Sequence, residues 1–527
     1  MTSRKSSHTA RNNALLPSAT YGTISKAKKA ASHQQRLTNA VEKSTEQYCV
    51  LPTAQKVFVV FTAALASTFS PLSSNIYYPA INSIAKDLTV TPSMMNFTIT
   101  AYMLFQGLAP TFMGNLSDTA GRRPVYIMCF AIYLGANVGL ALQENYWALL
   151  ALRALQSTGI SATVALSNAV AADIVTSAER GTYLGIASLG GILGPALGPT
   201  LGGLTSQYWG WRGIFWLLVM ISTAFFVPLA LFFPETCRKI VGNGSIPPPA
   251  WNRSVLNILT ERRLRHQGVD MADSYARRES LARSRKISFP NPLLSLRLLA
   301  ERPCALVLLA NGISYGAYYT VTSSIPAQFA DLYGLNDLQL GLSYVPIGLG
   351  TISSSLLNGY LIDWNFRRIA AHHGLRHVAT GKPDMSDFPI ERARLQIAIP
   401  AALCSALGIA AYGWLLQAHT SISVAMCMLF LIAYCMTASY NVLNILIVDL
   451  NYDIPGAATA SNNLVRCTIG AASTASILPL LKATGQGVSY SIVAGIWIGS
   501  TPLTVITYLY GLPWRQKRAA DKLKHSS

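Results

Sequence analysis

The sequence predicts an all-α protein that crosses a membrane many times, and three observations predict it. Of the 527 residues, 51% are hydrophobic and 12% are charged, about half the charged share of a typical soluble domain. The hydrophobic residues fall in long runs, each near or above the roughly 20 residues that a helix needs to cross a bilayer. The Lys and Arg residues lie almost entirely between these runs.

Twelve such runs are predicted to be membrane spans. Ten of them contain no Lys, Arg, Asp or Glu, and the other two each contain one arginine, Arg153 or Arg466. The runs lie at about residues 57–80, 93–116, 124–142, 147–172, 182–206, 213–233, 303–330, 338–362, 395–418, 421–448, 456–481 and 488–511.

The charges between the spans predict the orientation. If the amino terminus is cytoplasmic, the cytoplasmic segments hold 36 of the 41 Lys and Arg residues, and the outer loops hold Lys86, Arg212 and Lys482. This asymmetry predicts that both termini are cytoplasmic, and it accounts for the net charge of +19 without a nucleic-acid partner. Residues 1–55 lack an early apolar core, so no cleavable signal peptide is expected. The predicted location is the plasma membrane, with the vacuolar membrane as the alternative.

The longest polar interruption divides the spans into six and six. The predicted organisation is a tail at 1–56, a six-helix half at 57–233, a cytoplasmic linker at 234–302 with a short surface helix, a second six-helix half at 303–511 and a tail at 512–527. Within the linker, Arg277 and Arg278 precede Ser280 in a pattern that suits a basophilic kinase and also occurs by chance. The eight cysteines show no metal-ligand spacing, so neither a metal nor a cofactor is predicted.

The two halves share a motif at the same position. GNLSDTAGRRP (114–124) follows the second span and GYLIDWNFRR (359–368) follows the eighth; both contain a glycine, an aspartate four residues later and paired arginines. Asp173 ends the fourth span and Asp449 ends the tenth. An internal repeat of this kind predicts two related halves around a central cavity, which is typical of alternating-access transporters.

These motifs resemble those of the major facilitator superfamily. GNLSDTAGRRP is similar to its loop signature, and LALRALQSTGIS (150–161) resembles its fourth-span arginine motif, with Ser157 where the pattern prefers glycine. The fifth span matches the antiporter pattern G-x-x-x-G-x-x-x-G-P-x-x-G-G at Gly190, Gly194, Gly198, Pro199, Gly202 and Gly203. Residues 71–80, 233–238 and 462–467 resemble the fungal twelve-span drug:proton antiporter group, which includes exporters of drugs, organic acids and secondary metabolites.

The resemblance implies the major facilitator fold, with twelve transmembrane helices in two pseudo-symmetric six-helix halves, and transport without catalytic chemistry. It also implies a charge latch, meaning a cluster of charged residues that holds the cytoplasmic side closed when the cavity opens outward. The latch residues are Gly114, Asp118, Arg122 and Asp173, with Asp363, Arg367 and Asp449 serving similarly in the other half. The fifth span is expected to face the eighth along Pro346, Gly350, Ser354 and Asn358. The alternatives are that the arginines only enforce topology and that the glycines only provide static packing.

The two intramembrane arginines suggest the cargo. An arginine at the centre of a span costs about 2.5–3.5 kcal/mol on insertion scales and usually faces a wet cavity or a partner. No predicted span contains a carboxylate, so a cavity with Arg153 and Arg466 would favour an anion held by bidentate hydrogen bonds. The alternative is that each arginine is a structural post bonded to carbonyl or amide groups.

Polar and aromatic residues beside the two arginines and on spans one, seven and ten complete the predicted cargo site. Amides and tyrosines also join helices structurally, so only some of them are expected to line the pathway. The candidates are Gln156, Asn462, Asn463, Asn75, Tyr78, Tyr315, Tyr318, Tyr319, Asn441 and Asn444.

The predicted function is a secondary exporter of a small organic acid or acidic metabolite, acting as a monomer in the lipid bilayer. Broad xenobiotic efflux is the first alternative, a substrate-importing proton symporter the second and a non-transporting sensor the third. Proton antiport is implied by the resemblance alone. An inside-negative potential supplies about 2.3 kcal/mol per charge per 100 mV, which can also drive an anion outward.

Overall fold

The computed structural model describes residues 49–175, 180–266, 275–280, 298, 301–372, 388–451 and 455–526. Contacts divide the chain into Met1–Val50 and Leu51–Ser527, and every element below belongs to the second unit. Within the described ranges, the regular secondary structure is entirely helical. Residues 1–48 of the predicted tail lie outside these ranges.

The first half contains six spans. Span one is followed by a 3-10 turn at Tyr78–Ala80 and a short helix at Ile81–Asp87. Its helices are Thr53–Asn75 (span one), Pro92–Ala120 (span two), Arg122–Leu142 (span three), Tyr146–Ile160 with Ala162–Ile174 (span four) and Arg180–Phe232 (spans five and six).

Spans five and six are divided at Gly210. A continuous helix of 53 residues would be about 80 Å long, well over twice the roughly 30 Å of the hydrocarbon core. Gly210 has φ 71° and ψ 168°, a conformation that only glycine adopts readily. The chain therefore turns back at this residue, and the segment crosses the membrane twice.

The second half repeats the count of six. A short helix at Asp337–Leu342 precedes span eight. The helices are Arg302–Tyr333 (span seven), Val345–His372 (span eight), Ile390–Gln417 (span nine), Ile422–Leu450 (span ten), Pro455–Thr484 (span eleven) and Gln486–Ser526 (span twelve). Span twelve thus continues as a helix through the predicted tail. The linker contains the predicted short helix, at Val255–His266.

The pattern of burial is that of a membrane protein. Ten helices in the described part of the chain are long and apolar enough to cross a bilayer, and one of them, Gly194–Phe232, contains the turn at Gly210. Phe61, Leu356 and Ile496 are more than half exposed, whereas Asn137 is fully buried. Apolar groups face outward because lipid, unlike water, does not penalise them. The predicted all-α polytopic fold is confirmed.

The glycine stripe of span five packs against span one. A Cβ added at Gly194 would lie 2.7 Å from the Leu72 nitrogen, and one at Gly202 would overlap the carbonyl oxygen of Ile76. Gly198 is less crowded, with the Asn75 Cβ 3.1 Å away. The stripe therefore lets two helices of the same half approach backbone to backbone.

The neighbouring face of span five meets the other half at span eight and at the short helix Asp337–Leu342 before it. A Cβ at Gly203 would lie 2.5 Å from the Asp337 carbonyl oxygen, and one at Gly341 would lie 2.6 Å from the Pro199 oxygen. Further along, Gly348 packs against Ala196. Two adjacent faces of one helix thus make two different close contacts.

The prediction that the small-residue stripe of span eight faces span five was wrong, because this stripe contacts span ten. A Cβ at Gly350 would lie 2.6 Å from the Phe430 carbonyl oxygen of span ten, and Asn358 Nδ2 donates to the Ala438 oxygen of the same span over 2.9 Å. Span five meets Gly341 and Gly348 instead. Small residues occur on two faces of span eight, and the sequence does not say which face a neighbouring helix covers.

Candidate functional site

An ion-pair cluster joins spans two, three and four. Arg122 Nη1 lies 2.6 Å from Asp118 Oδ1, and Arg122 Nε lies 2.9 Å from Asp173 Oδ2. Gly121, with φ 116°, ends span two and makes Arg122 the first residue of span three. The structure thus brings three predicted latch residues together. Gly114 lies in open space, since a Cβ there would meet nothing within 4 Å.

Glu235 supports this cluster. The sequence did not predict its role, although it lies in FPETCR (233–238), one of the stretches that resemble the antiporter group. Its carboxylate is 4% exposed and accepts hydrogen bonds from Arg122 N at 2.9 Å, Arg123 N at 3.3 Å and Asn252 Nδ2 at 2.6 Å. The amide nitrogens of the next two residues donate to it as well. A carboxylate at a helix amino terminus is favoured by the unpaired N–H groups and the helix dipole.

We expect Glu235→Ala to lower the free energy of unfolding by about 2–3 kcal/mol, because buried N–H donors lose a charged acceptor. The midpoint of thermal unfolding of the purified protein in detergent checks this. Glu279→Ala is the control, since Glu279 is exposed in the linker. Equal midpoints for the two variants would contradict the prediction.

The second half has a different ion pair at the corresponding place. Asp449 Oδ2 lies 3.2 Å from Arg394 Nε of span nine. Asp363 and Arg367 are exposed, and neither forms an ion pair with any residue that the structure describes. Span eight continues as a helix to His372 without a break like Gly121. Arg367 therefore stays on span eight, and Arg394, near the start of span nine, meets Asp449.

Arg153 is fully buried and enclosed within the first half. Its Nη1 donates to Gln156 Oε1 at 2.6 Å and to the Ser73 carbonyl at 3.2 Å, and its guanidinium lies 4.4 Å from the ring centres of both Tyr77 and Tyr102. Cation–π contacts stabilise a desolvated guanidinium. In this conformation Arg153 has no exposed surface, whereas the sequence placed it in a cavity with Arg466.

Arg466 lies in the second half and is only partly buried. Its Nη2 and Nε donate to Asn463 Oδ1 at 2.7 and 3.0 Å, and Nη1 donates to the Tyr440 hydroxyl. The guanidinium lies 5.1 Å from the centre of the Tyr315 ring. No carboxylate pairs with it among the described residues. Its charge is therefore held by neutral groups alone.

Three asparagines lie beside Arg466. Asn311 Nδ2 donates to Asn444 Oδ1 at 3.0 Å and to Asn462 Oδ1 at 2.8 Å, and Asn462 Nδ2 donates to Asn444 Oδ1 at 2.6 Å. The structure brings together Asn444 and Asn462, which were predicted, with Asn311, which was not. Asn311 is one of many polar residues in span seven, and nothing in the sequence distinguished it from the others.

The remaining predicted residues have varied surroundings. Tyr315 Oη donates to Tyr319 Oη at 3.2 Å, and Tyr318 packs edge-on against Tyr319 with ring centres 5.4 Å apart. Tyr78 is fully buried and stacks on the ring of Tyr344. Two asparagines differ in their contacts: Asn75 is buried and donates to the Pro71 carbonyl, whereas Asn441 is partly exposed with no hydrogen bond to any described residue.

The two halves are hydrogen-bonded to each other at the end of the bundle that contains Asp337. Asp337 accepts from Ser83 Oγ at 2.9 and 2.7 Å and from Ser206 Oγ at 2.5 Å. Asn82 Nδ2 donates to the Pro326 carbonyl at 2.8 Å. A further bond, from Asn463 Nδ2 to the Gln106 carbonyl, joins the halves near the middle. The Asp337 end is therefore closed in this conformation.

We expect Asp337→Ala to open this end, because two hydroxyl groups of the first half lose their shared acceptor. Spin labels at Lys86 and Leu335, which line the same surface cleft, should show a larger population of long distances by pulsed electron spin resonance. The exposed Asp331 provides the control variant Asp331→Ala. Identical distance distributions for both variants would show that Asp337 does not hold the end closed.

Comparison with known proteins places this arrangement in a family. A family model described as Major Facilitator Superfamily matches residues 63–475. MFS-type transporter tstD of Talaromyces stipitatus is 43% identical over 487 residues, covering 92% of this chain and 88% of tstD. Citrate exporter 1 of Aspergillus niger is 35% identical over 472 residues, covering 88% of each protein.

The solved structures agree in fold. The crystal structure of a D-xylose-proton symporter matches with a TM-score of 0.60 and 14% identity, covering 86% of this chain and 96% of the symporter. The family match begins inside span one and ends inside span eleven, so it includes the Arg122 cluster and Arg466. The chain belongs to the major facilitator superfamily of membrane transporters.

Proposed function

We propose that the protein exports a small organic anion by alternating access. The observation that carries this proposal is Arg466, a partly exposed guanidinium inside the bundle whose described partners are all neutral. A charge without a fixed counter-ion favours a negatively charged ligand, and a guanidinium binds a carboxylate through two parallel hydrogen bonds.

The curated relatives support this class of cargo. Citrate exporter 1 is named for the export of an organic acid and aligns with 88% of this chain. The word exporter in its name also agrees with the outward direction of transport that the antiporter pattern of span five implies. We therefore propose organic-acid or acidic-metabolite export. The charge asymmetry of the loops supports cytoplasmic termini, and a monomer in the plasma membrane completes the proposal.

The latch residues support the alternating-access part of the proposal. We propose that, with the Asp337 end closed, the cargo enters from the Arg122 end in this conformation. The Arg122 cluster lies within the first half, and we propose that it contacts the second half when the bundle opens at the Asp337 end. Proton antiport is part of the proposal through the antiporter pattern.

Counterflow in proteoliposomes tests the cargo class. Vesicles containing the purified protein are loaded with unlabelled compound, and the uptake of labelled citrate is compared with that of labelled tetraphenylphosphonium, an organic cation. We expect citrate to accumulate and the cation to remain at the level of protein-free vesicles. Accumulation of the cation without citrate would overturn the proposal in favour of cationic drug efflux.

A further inference from the structure

Spans ten and eleven are joined by two hydrogen-bonded pairs one helical turn apart. Arg466 Nη1 donates to Tyr440 Oη, and Asn462 Nδ2 donates to Asn444 Oδ1 at 2.6 Å. The pairs are four residues apart in each helix, which corresponds to about 6 Å along the axis. The guanidinium of Arg466 and the amide of Asn444 are therefore neighbouring polar groups at a fixed spacing.

The side chain of Asn444 is held in place by two hydrogen bonds. Its Oδ1 accepts from both Asn311 Nδ2 and Asn462 Nδ2, and two acceptances fill the lone pairs of an amide oxygen. The Asn444 side chain is partly exposed, and its Nδ2 has no hydrogen-bond partner within the described part of the chain. Fixed in this way, Asn444 presents two N–H donors that the protein itself does not use.

We propose that Asn444 is a second anchor for the cargo, and that the cargo therefore carries at least two carboxylates. One carboxylate binds Arg466, and an oxygen of the second accepts from Asn444 Nδ2. Asn311 is a positioning residue, since it is fully buried and acts by holding the Asn444 amide. This inference rests on the proposed function and narrows it from organic anions in general to di- and tricarboxylates.

A matched pair of acids tests the second anchor. Citrate and 2-hydroxyisobutyrate both carry a hydroxyl and a carboxylate on the same carbon, but methyl groups replace the two carboxymethyl arms in 2-hydroxyisobutyrate. In proteoliposome counterflow at equal concentrations, we expect the wild type to move citrate at least tenfold faster. Asn444→Leu should slow citrate about tenfold and so lower the ratio of the citrate rate to the 2-hydroxyisobutyrate rate.

Further variants separate binding from folding. Asn444→Gln keeps the amide but displaces it by one methylene, and Asn311→Ala keeps Asn444 but frees its orientation; both should reduce the citrate preference. Thr468→Ala is the control on span eleven, because Thr468 is exposed and its hydroxyl donates only within its own helix. Stabilisation of the purified protein by citrate in a thermal scan provides a readout independent of transport.

The outcomes distinguish this inference from the proposed function. Equal rates for the two acids in the wild type would overturn the second anchor while leaving organic-anion transport in place. A citrate preference that survives in Asn444→Leu and Asn444→Gln would do the same. Transport of neither acid by the wild type would contradict the proposed function itself.

Discussion

Arg466→Ala is expected to reduce citrate counterflow by about thirtyfold or more. Truncating one partner of a desolvated charge pair typically costs 2–5 kcal/mol, and 1.4 kcal/mol corresponds to a factor of ten. The side chain also donates to Asn463 and Tyr440, so the thermal midpoint of the variant is measured beside its transport rate.

Arg466→Lys separates charge from geometry. An ammonium keeps the positive charge but cannot make two parallel hydrogen bonds to a carboxylate, so we expect transport to be retained with a KM for citrate raised about tenfold. Arg277→Ala removes an exposed linker arginine and should match the wild type. Normal citrate transport by Arg466→Ala with an unchanged thermal midpoint would contradict the assignment of Arg466 as the anion ligand.

Gly202→Val is expected to cause the largest loss of stability of any single substitution in span five. Even one added carbon at this position would overlap the Ile76 carbonyl oxygen, and backbone atoms cannot move aside as a flexible side chain can. Overpacking typically costs 1–3 kcal/mol and occasionally more. We expect little folded protein after extraction, as measured by size-exclusion chromatography.

Substitutions at two other glycines of span five serve as comparisons for Gly202→Val. Gly191 is exposed, and a Cβ there would meet nothing within 4 Å, so Gly191→Ala should behave as the wild type. At Gly198 a Cβ would lie 3.1 Å from Asn75, and we expect Gly198→Val to insert and fold but to lose transport. Equal yields of folded protein from Gly202→Val and Gly191→Ala would show that spans one and five are not in close contact.

The sequence predicted the helical membrane class and the contact of Asp118 with Arg122 for a common reason. Hydrophobic runs and loop charges are local properties, and the bilayer acts on them one segment at a time. Asp118 and Arg122 are four residues apart around a helix boundary, so their contact is also local. The second latch was expected at Asp363, Arg367 and Asp449, whereas Asp449 pairs with Arg394 of span nine.

Only the tertiary structure decided what each buried polar group contacts. Arg153 and Arg466 look alike in sequence, each one charge in an apolar run, yet two tyrosine rings enclose Arg153 while Arg466 remains partly exposed.

By itself, therefore, the sequence determined that this protein is a polytopic helical membrane protein of a transporter family. The tertiary structure decided that Arg466 is partly exposed whereas Arg153 is fully buried, and that Asn311 donates to the Asn444 amide oxygen. It also decided which faces of spans five and eight touch. The physical reason is that helix rotation and register are set by contacts between segments far apart in the chain, and such contacts leave no periodic signal within either segment.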